Sequence, residues 1–156
     1  DILCDALQML NEKKDIHILL SGPSRGYVKK RLEDANISYS HIYLQDPNQV
    51  VELYSALDFY VISSRVEGGP KALMECWAMK IPLVSTKVGM CIDYGIQNEN
   101  IIFSENINSE SLAEAIYQAL NLKNIKQISE CGFKNIHKLT YEEQSKNLLK
   151  LYQNVF

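Results

Sequence analysis

No two of Cys4, Cys76, Cys91 and Cys131 stand in C-x-x-C spacing, and His17, His41 and His137 are just as dispersed. That scatter argues against a zinc site or a disulfide framework and fits reduced thiols in a cytoplasmic protein. Positive charge is not in surplus either, since 16 Lys and Arg against 19 Asp and Glu leave a formal net charge of -3. Without a basic face there is no electrostatic case for a nucleic-acid partner. No apolar run approaches the roughly 20 residues that span a bilayer, and no basic-then-apolar signal segment opens the chain. A soluble protein is expected. Several catalytic signatures are missing as well: no G-x-x-x-x-G-K-[ST] phosphate loop, no G-x-G-x-x-G dinucleotide loop and no G-x-S-x-G nucleophile elbow. The chain also carries no repeat, linker or low-complexity segment.

What is present is an ordinary globular composition, 156 residues with 46% hydrophobic and 22% charged, enough for one domain with a sizeable core. The first ten residues already follow a helical repeat with no Met, strand or loop before them, so the chain reads as a piece cut from a longer protein. Short apolar runs over residues 16–20, 41–44, 58–62, 82–85 and 100–103 predict strands. Helical patterns fill residues 25–35, 49–57 with Asn48 as cap, the segment from Pro70, and 109–122; two more helical stretches close the chain, and a loop is expected around Gly89. This alternation predicts an α/β fold, a Rossmann-like parallel sheet with helices on both faces and right-handed crossovers. Ligands of such sheets bind beyond the carboxyl ends of the strands. The Gly22 turn and the loop containing Glu67 both leave strands at that end.

Glu67 and Glu75 are the residues that stand out. From Ala72 to Met79 every residue but Glu75 is apolar or small, and a helix apolar nearly all round is usually buried. A carboxylate there needs hydrogen-bond partners, because an unpaired buried charge costs several kcal/mol or takes up a proton. One reading makes Glu75 structural, meeting Lys71 one turn earlier in the less favourable charge order. The other makes it an acceptor for ligand hydroxyls such as a ribose diol, roughly 7–8 Å along the helix from Pro70. Gly68-Gly69-Pro70 likewise reads either as a plain turn or as a helix start whose N–H groups face a phosphate or sugar. A hydrolytic carboxylate couple needs separations of about 5 or 7–9 Å, and the α/β layout does not favour it. The histidines read as surface or packing residues, and the tyrosines and Trp77 as core.

The run Ser63-Ser64, Glu67-Gly68-Gly69-Pro70, Glu75-Cys76-Trp77-Ala78, Pro82-Leu83-Val84-Ser85-Thr86 and Gly89 resembles the E-x7-E signature of the retaining GT-B glycosyltransferases of the large family four. Ile18-Leu19-Leu20-Ser21-Gly22, Ile42-Tyr43-Leu44 and Leu53-Tyr54-Ser55-Ala56-Leu57-Asp58 resemble that family's first strand and turn, short strand, and helix-to-strand junction. The resemblance implies that residues 1–156 form a single nucleotide-sugar-binding domain, the C-terminal half of a two-domain enzyme, with the N-terminal acceptor-binding domain absent. It implies transfer of a sugar from a nucleoside diphosphate to a glycan or lipid-linked acceptor, as in polysaccharide biosynthesis, with retention and without metal or other cofactor. Glu67 would then be the catalytic residue, contacting donor-sugar hydroxyls, and Glu75 would hold the ribose. The backbone of Gly68, Gly69, Pro70, Lys71 and Ala72 would cradle sugar and diphosphate, backbone groups near Tyr43 and Leu44 would meet the base, and Gly22 would admit the diphosphate-side loop.

The pattern departs from that family at Lys80, where a small residue, often glycine, is usual, and at Met90, where in that family a second glycine follows the one at Gly89, which implies a sugar-side loop of different shape. The family's diphosphate-neutralising Arg and Lys lie just before the helix that Asp1 begins, so the isolated domain is expected to fold without turning over. For the full-length protein the resemblance leaves peripheral association with the inner face of the membrane open. It also leaves open a GT-B-shaped epimerase or phosphorylase. A non-catalytic α/β binding module would carry an acidic cluster at the end of its first strand, and Ser21-Gly22-Pro23 offers none.

Overall fold

In chain order the elements are α1 (Ile2–Asn11), β1 (His17–Ser21), α2 (Gly26–Asp34), β2 (Ser38–Ile42), α3 (Asn48–Ser55), β3 (Tyr60–Ile62), α4 (Lys71–Ala78), β4 (Leu83–Ser85), α5 (Gly89–Tyr94), β5 (Ile102–Phe103), α6 (Ser109–Asn121), α7 (Ile125–Asn135), a 3-10 turn at Ile136–Leu139 and α8 (Tyr141–Val155). This computed structural model describes residues 1–11, 15–46 and 48–155, without the side chains of residues 11 and 155. All strand pairings are parallel: β1 with β2, and β4 between β3 and β5. The single sheet read from the sequence is thus two sheet pieces.

Leu83 and Val84, successive residues of β4, show how the layers form. Side chains alternate across a strand, and both faces of β4 are covered. Val84 joins a core with Ile2, Ala6, Leu7 and Leu10 of α1 and Leu112, Ala115, Ile116 and Ala119 of α6. Leu83 joins a second core with Leu73, Cys76 and Trp77 of α4 and Cys91 of α5. Ile102 and Ile101 divide between the same two cores. Residues 2, 6, 7 and 10 fall at helical spacing, so one stripe of α1 is buried. Asn108 starts α6 by accepting the Ser111 N–H on Oδ1 at 2.9 Å.

Three elements differ from the sequence reading for physical reasons. β2 spans Ser38–Ile42 rather than 41–44, because its polar residues pair with β1: the His17 ring hydrogen-bonds the Ser38 and Ser40 hydroxyls at 3.0 Å each. Tyr43 and Leu44 therefore lie in the loop after it. Asn48 is the first residue of α3 rather than its cap. The segment at Gly89 is the short helix α5, whose Cys91 is fully buried in the second core. Among the described residues no helix is long and apolar enough to cross a membrane.

Helix α4 ends in a Schellman turn, with the Lys80 N–H on the Trp77 carbonyl at 3.2 Å and the Ile81 N–H on the Cys76 carbonyl at 2.8 Å. Lys80 takes the left-handed backbone, φ +56°, which glycine adopts without strain. Its ammonium holds Glu130 at 3.0 Å and lies 4.6 Å from the Phe133 ring centre. The lysine thus sits at the end of α4 remote from Pro70.

Trp77 has no exposed surface, and its indole N–H donates to the Asn100 carbonyl at 3.1 Å. Gly132 of α7 lies so close to the ring that an added Cβ would overlap it. Gly132→Ala is accordingly expected to destabilise the domain by about 1–3 kcal/mol through overpacking. Thermal unfolding would show a midpoint lowered by about 2–4 °C per kcal/mol, and an unchanged midpoint would refute this packing account.

Candidate functional site

The carboxyl ends of the central strands are laced by hydrogen bonds that hold the loop before α4. Thr86, immediately after β4, donates its backbone N–H to the Ile62 carbonyl at 2.9 Å and its hydroxyl to the Ser64 carbonyl at 2.6 Å. Ser64 in turn donates its hydroxyl to Glu67 Oε2 at 2.8 Å. The Gly68 carbonyl accepts the Met90 N–H at 3.1 Å. Gly89 makes this approach possible: it adopts φ +41°, and a Cβ there would collide with the Glu67 and Gly68 carbonyls. Met90 is the neighbour on the other side, since a Cβ on Gly69 would stand 3.0 Å from its sulfur.

Pro70 precedes α4 with φ -64° and ψ 116°, so Lys71 is the first helical residue and not Pro70. No side chain caps this helix start. Its free backbone N–H groups and positive dipole end face the loop. Glu67, Gly68 and Gly69 are exposed, Pro70 is buried and Lys71 is exposed. Glu75 and Ala72 are only half-buried, so α4 is not the wholly buried helix its composition predicts. Part of one face of it is open to solvent.

Tyr54 of α3 supplies the partner that Glu75 requires, its phenol donating to Oε2 at 2.6 Å. The structural pairing with Lys71 does not form: among the described residues Lys71 makes no ion pair. Oε1 of both Glu67 and Glu75 has no hydrogen-bond partner among the described residues. The Tyr54 ring stacks on Tyr60 of β3, centres 5.6 Å apart and planes at 3°. Burial pushes the Tyr54 phenol well above its usual range, with the Glu75 hydrogen bond adding to it. Burial does the same to Tyr60 and Cys76, where Glu75 also contributes.

The second half of the site comes from β1 and β2. Gly22 turns the chain after β1 with φ +83°, and its carbonyl accepts from His41 Nε2 at 2.7 Å. That bond fixes the proton on Nε2 and leaves the buried Nδ1 without a partner. The Tyr43 ring, 62% exposed, leans on His41 with centres 4.3 Å apart. His41 therefore clamps the Gly22 turn to the loop carrying Tyr43 and Leu44. The two halves share one field, because Glu75 and Glu67 raise the Tyr60 phenol while Arg25, beyond Gly22, opposes them.

Tyr54, Thr86 and His41 were not singled out as site residues from the sequence. Tyr54 had a usable signal: Val50, Tyr54 and Leu57 pack at i, i+4 and i+7 against the second core, so its ring had to point inward. Thr86 and His41 each follow or end a strand, and only the paired strand shows which carbonyl they reach.

Parallel strands flanked by helices, with the turns gathered at the carboxyl ends, make up the α/β fold of the GT-B glycosyltransferases. The chain belongs to the family described as glycosyl transferases group 1, matched over residues 1–138. It is 26% identical over 159 residues to an uncharacterized glycosyltransferase of Methanocaldococcus jannaschii, covering 99% of this chain and 44% of that protein. A glycosyltransferase structure from Rickettsia africae matches 99% of this chain and 43% of its own, with a TM-score of 0.81 and 21% identity. Anabaena HepE in complex with UDP-glucose matches 96% of this chain and 44% of its own, with a TM-score of 0.78 and 18% identity. The chain thus spans less than half the length of each of these relatives.

Two expectations follow from the site's hydrogen bonds and burial. Thr86→Val removes the donor to the Ser64 carbonyl and is expected to cost about 1–3 kcal/mol and to speed amide exchange across residues 64–69, whereas Thr86→Ser keeps both near wild type. Hydrogen exchange read by mass spectrometry separates the two variants. The raised phenols of Tyr54 and Tyr60 and the raised thiol of Cys76 favour the neutral folded state. Their stabilisation is complete below the ordinary values, about 8.5 for a thiol and about 10 for a phenol, and is lost as pH rises above them because the unfolded chain releases its protons first. Urea midpoints are expected to fall between pH 9 and 11, and to fall less in Tyr54→Phe; equal slopes would exclude Tyr54 as a source.

Proposed function

We propose that this chain is the donor-binding domain of a retaining glycosyltransferase, which moves a sugar from a nucleoside-diphosphate sugar to a glycan or lipid-linked acceptor. The observation that carries the reading is the placement of Glu67 and Glu75 on either side of an uncapped helix N-terminus at the carboxyl end of a parallel sheet. In this proposal Oε1 of Glu75, held by Tyr54 on its other oxygen, accepts from the ribose hydroxyls. Glu67, held by Ser64, orients the donor sugar near the reacting carbon. The N–H groups of Gly69, Lys71 and Ala72 and the α4 dipole stabilise charge on the departing diphosphate, which grows as the sugar bond breaks. Gly22 admits the diphosphate-side turn, and the backbone at Tyr43 and Leu44 meets the base.

The reading is supported by membership of the glycosyl transferases group 1 family and by the likeness to HepE, a protein crystallised with UDP-glucose. It requires no metal or other cofactor. The acceptor would be bound by a second domain, and the reaction belongs to the longer protein rather than to these 156 residues. Retention, the E-x7-E roles and a place in polysaccharide biosynthesis are parts of the same proposal.

Calorimetric titration of the full-length protein carrying this chain, with a panel of nucleoside diphosphates and nucleotide sugars, tests it. One of them is expected to bind, and Glu75→Gln is expected to weaken it by roughly tenfold to a hundredfold, the loss of hydrogen bonds to a charged group. The reading fails if none binds and Glu75→Gln changes nothing.

A further inference from the structure

Of the three arginines in the chain, Arg31 pairs with Asp5 and Arg65 with Asp1. Arg25 has no carboxylate partner among the described residues and is exposed. Its guanidinium folds back over the end of β1, with Nε donating to the Ser21 carbonyl at 2.8 Å. A Cβ on Gly22 would stand 3.4 Å from Nη2, so the fork lies alongside the Gly22 turn. The donors on Nη1 and Nη2 have no partner among the described residues.

We infer that Arg25 is a ligand-binding residue, gripping the diphosphate of the bound nucleotide from the Gly22 turn at the carboxyl end of β1. This inference rests on the donor-binding reading above. A diphosphate entering a site with two carboxylates meets like charge, and a cation facing it must offset that repulsion. The Arg25 charge reaches into the same field as Glu67 and Glu75, since all three act on the Tyr60 phenol. Guanidinium suits phosphate better than ammonium, because its planar fork donates two parallel hydrogen bonds. The Nε bond to Ser21 holds that fork in place before the ligand arrives, which lowers the entropic cost of binding. Lys71, exposed at the first residue of α4, adds a second positive charge at the helix start.

The experiment compares UDP, GDP and ADP with the matching monophosphates by calorimetry on the full-length protein carrying this chain. For the diphosphate that binds, Arg25→Gln is expected to weaken affinity roughly tenfold or more, with a smaller effect on its monophosphate. Arg25→Lys should recover part of the loss, and Lys146→Gln, which removes a charge on α8, should leave both affinities as they were. Unaltered diphosphate binding in Arg25→Gln overturns the inference while leaving the donor reading intact. An equal loss for mono- and diphosphate also overturns it, since that is what a purely structural brace on Ser21 would give. If Arg25→Gln does not fold, the diphosphate-to-monophosphate ratio of Arg25→Lys decides in the same way. Absence of any nucleotide binding by the wild type, with no effect of Glu75→Gln, sinks the donor reading and this inference together.

Discussion

The Trp77 ring is enclosed by Gly132 of α7 and tied through its N–H to Asn100, while Leu73 and Cys76 bury the same stripe of α4. Interiors are packed as densely as organic crystals, so a helix seated on so large a side chain cannot rotate without opening a void. That fixed rotation is what turns Glu75, two residues before Trp77, toward Tyr54. It also fixes where the helix begins. The N–H groups after Pro70 point to the carboxyl end of the sheet because the Trp77 seat and the Schellman turn pin the other end of α4 against β4.

A second set of constraints runs through β4. Its three residues are buried on both faces, and Thr86 and Gly89 follow within one short stretch. Thr86 reaches the carbonyls of the loop after β3, and Gly89 lets that loop lie against the start of α5. Glu67 has little of its own to fix it, being exposed and on a loop. Its position is inherited from β4 through Ser64, so packing in the core is transmitted to a surface carboxylate by two hydroxyl hydrogen bonds.

Much of this was legible in the sequence because it depends on local pattern. The alternating runs gave the α/β class, Gly68-Gly69-Pro70 marked the start of a helix, and the lone Glu75 in an apolar segment announced a carboxylate that needed a partner. What was not legible depends on strand pairing. β2 is polar, and its place beside β1 is set by Ser38 and Ser40 meeting His17, a contact between residues 21 and 23 apart that no period reveals. The identity of the Glu75 partner is of the same kind: Tyr54 and Glu75 meet only after α3, β3 and α4 are packed. The Gly89 conformation could be suspected from residue type, but the carbonyls it accommodates belong to a different loop.

A sequence that folds consistently leaves few strong polar groups unpaired, and departures from that rule gather where function requires them. Several such groups lie at the carboxyl ends of the strands. The start of α4 lacks a side-chain cap, Glu67 and Glu75 each leave one oxygen without a partner, and Arg25 has donors without acceptors, all among the described residues. Some surface charges pair, as Lys80 does with Glu130 and Lys146 with Glu142. Acceptors for hydroxyls at Glu67 and Glu75, donors for an anion at the start of α4, and a cation at Arg25 would complement a molecule that carries hydroxyls at both ends and charge in its middle. Under the proposed donor-binding reading, a nucleotide sugar is such a molecule.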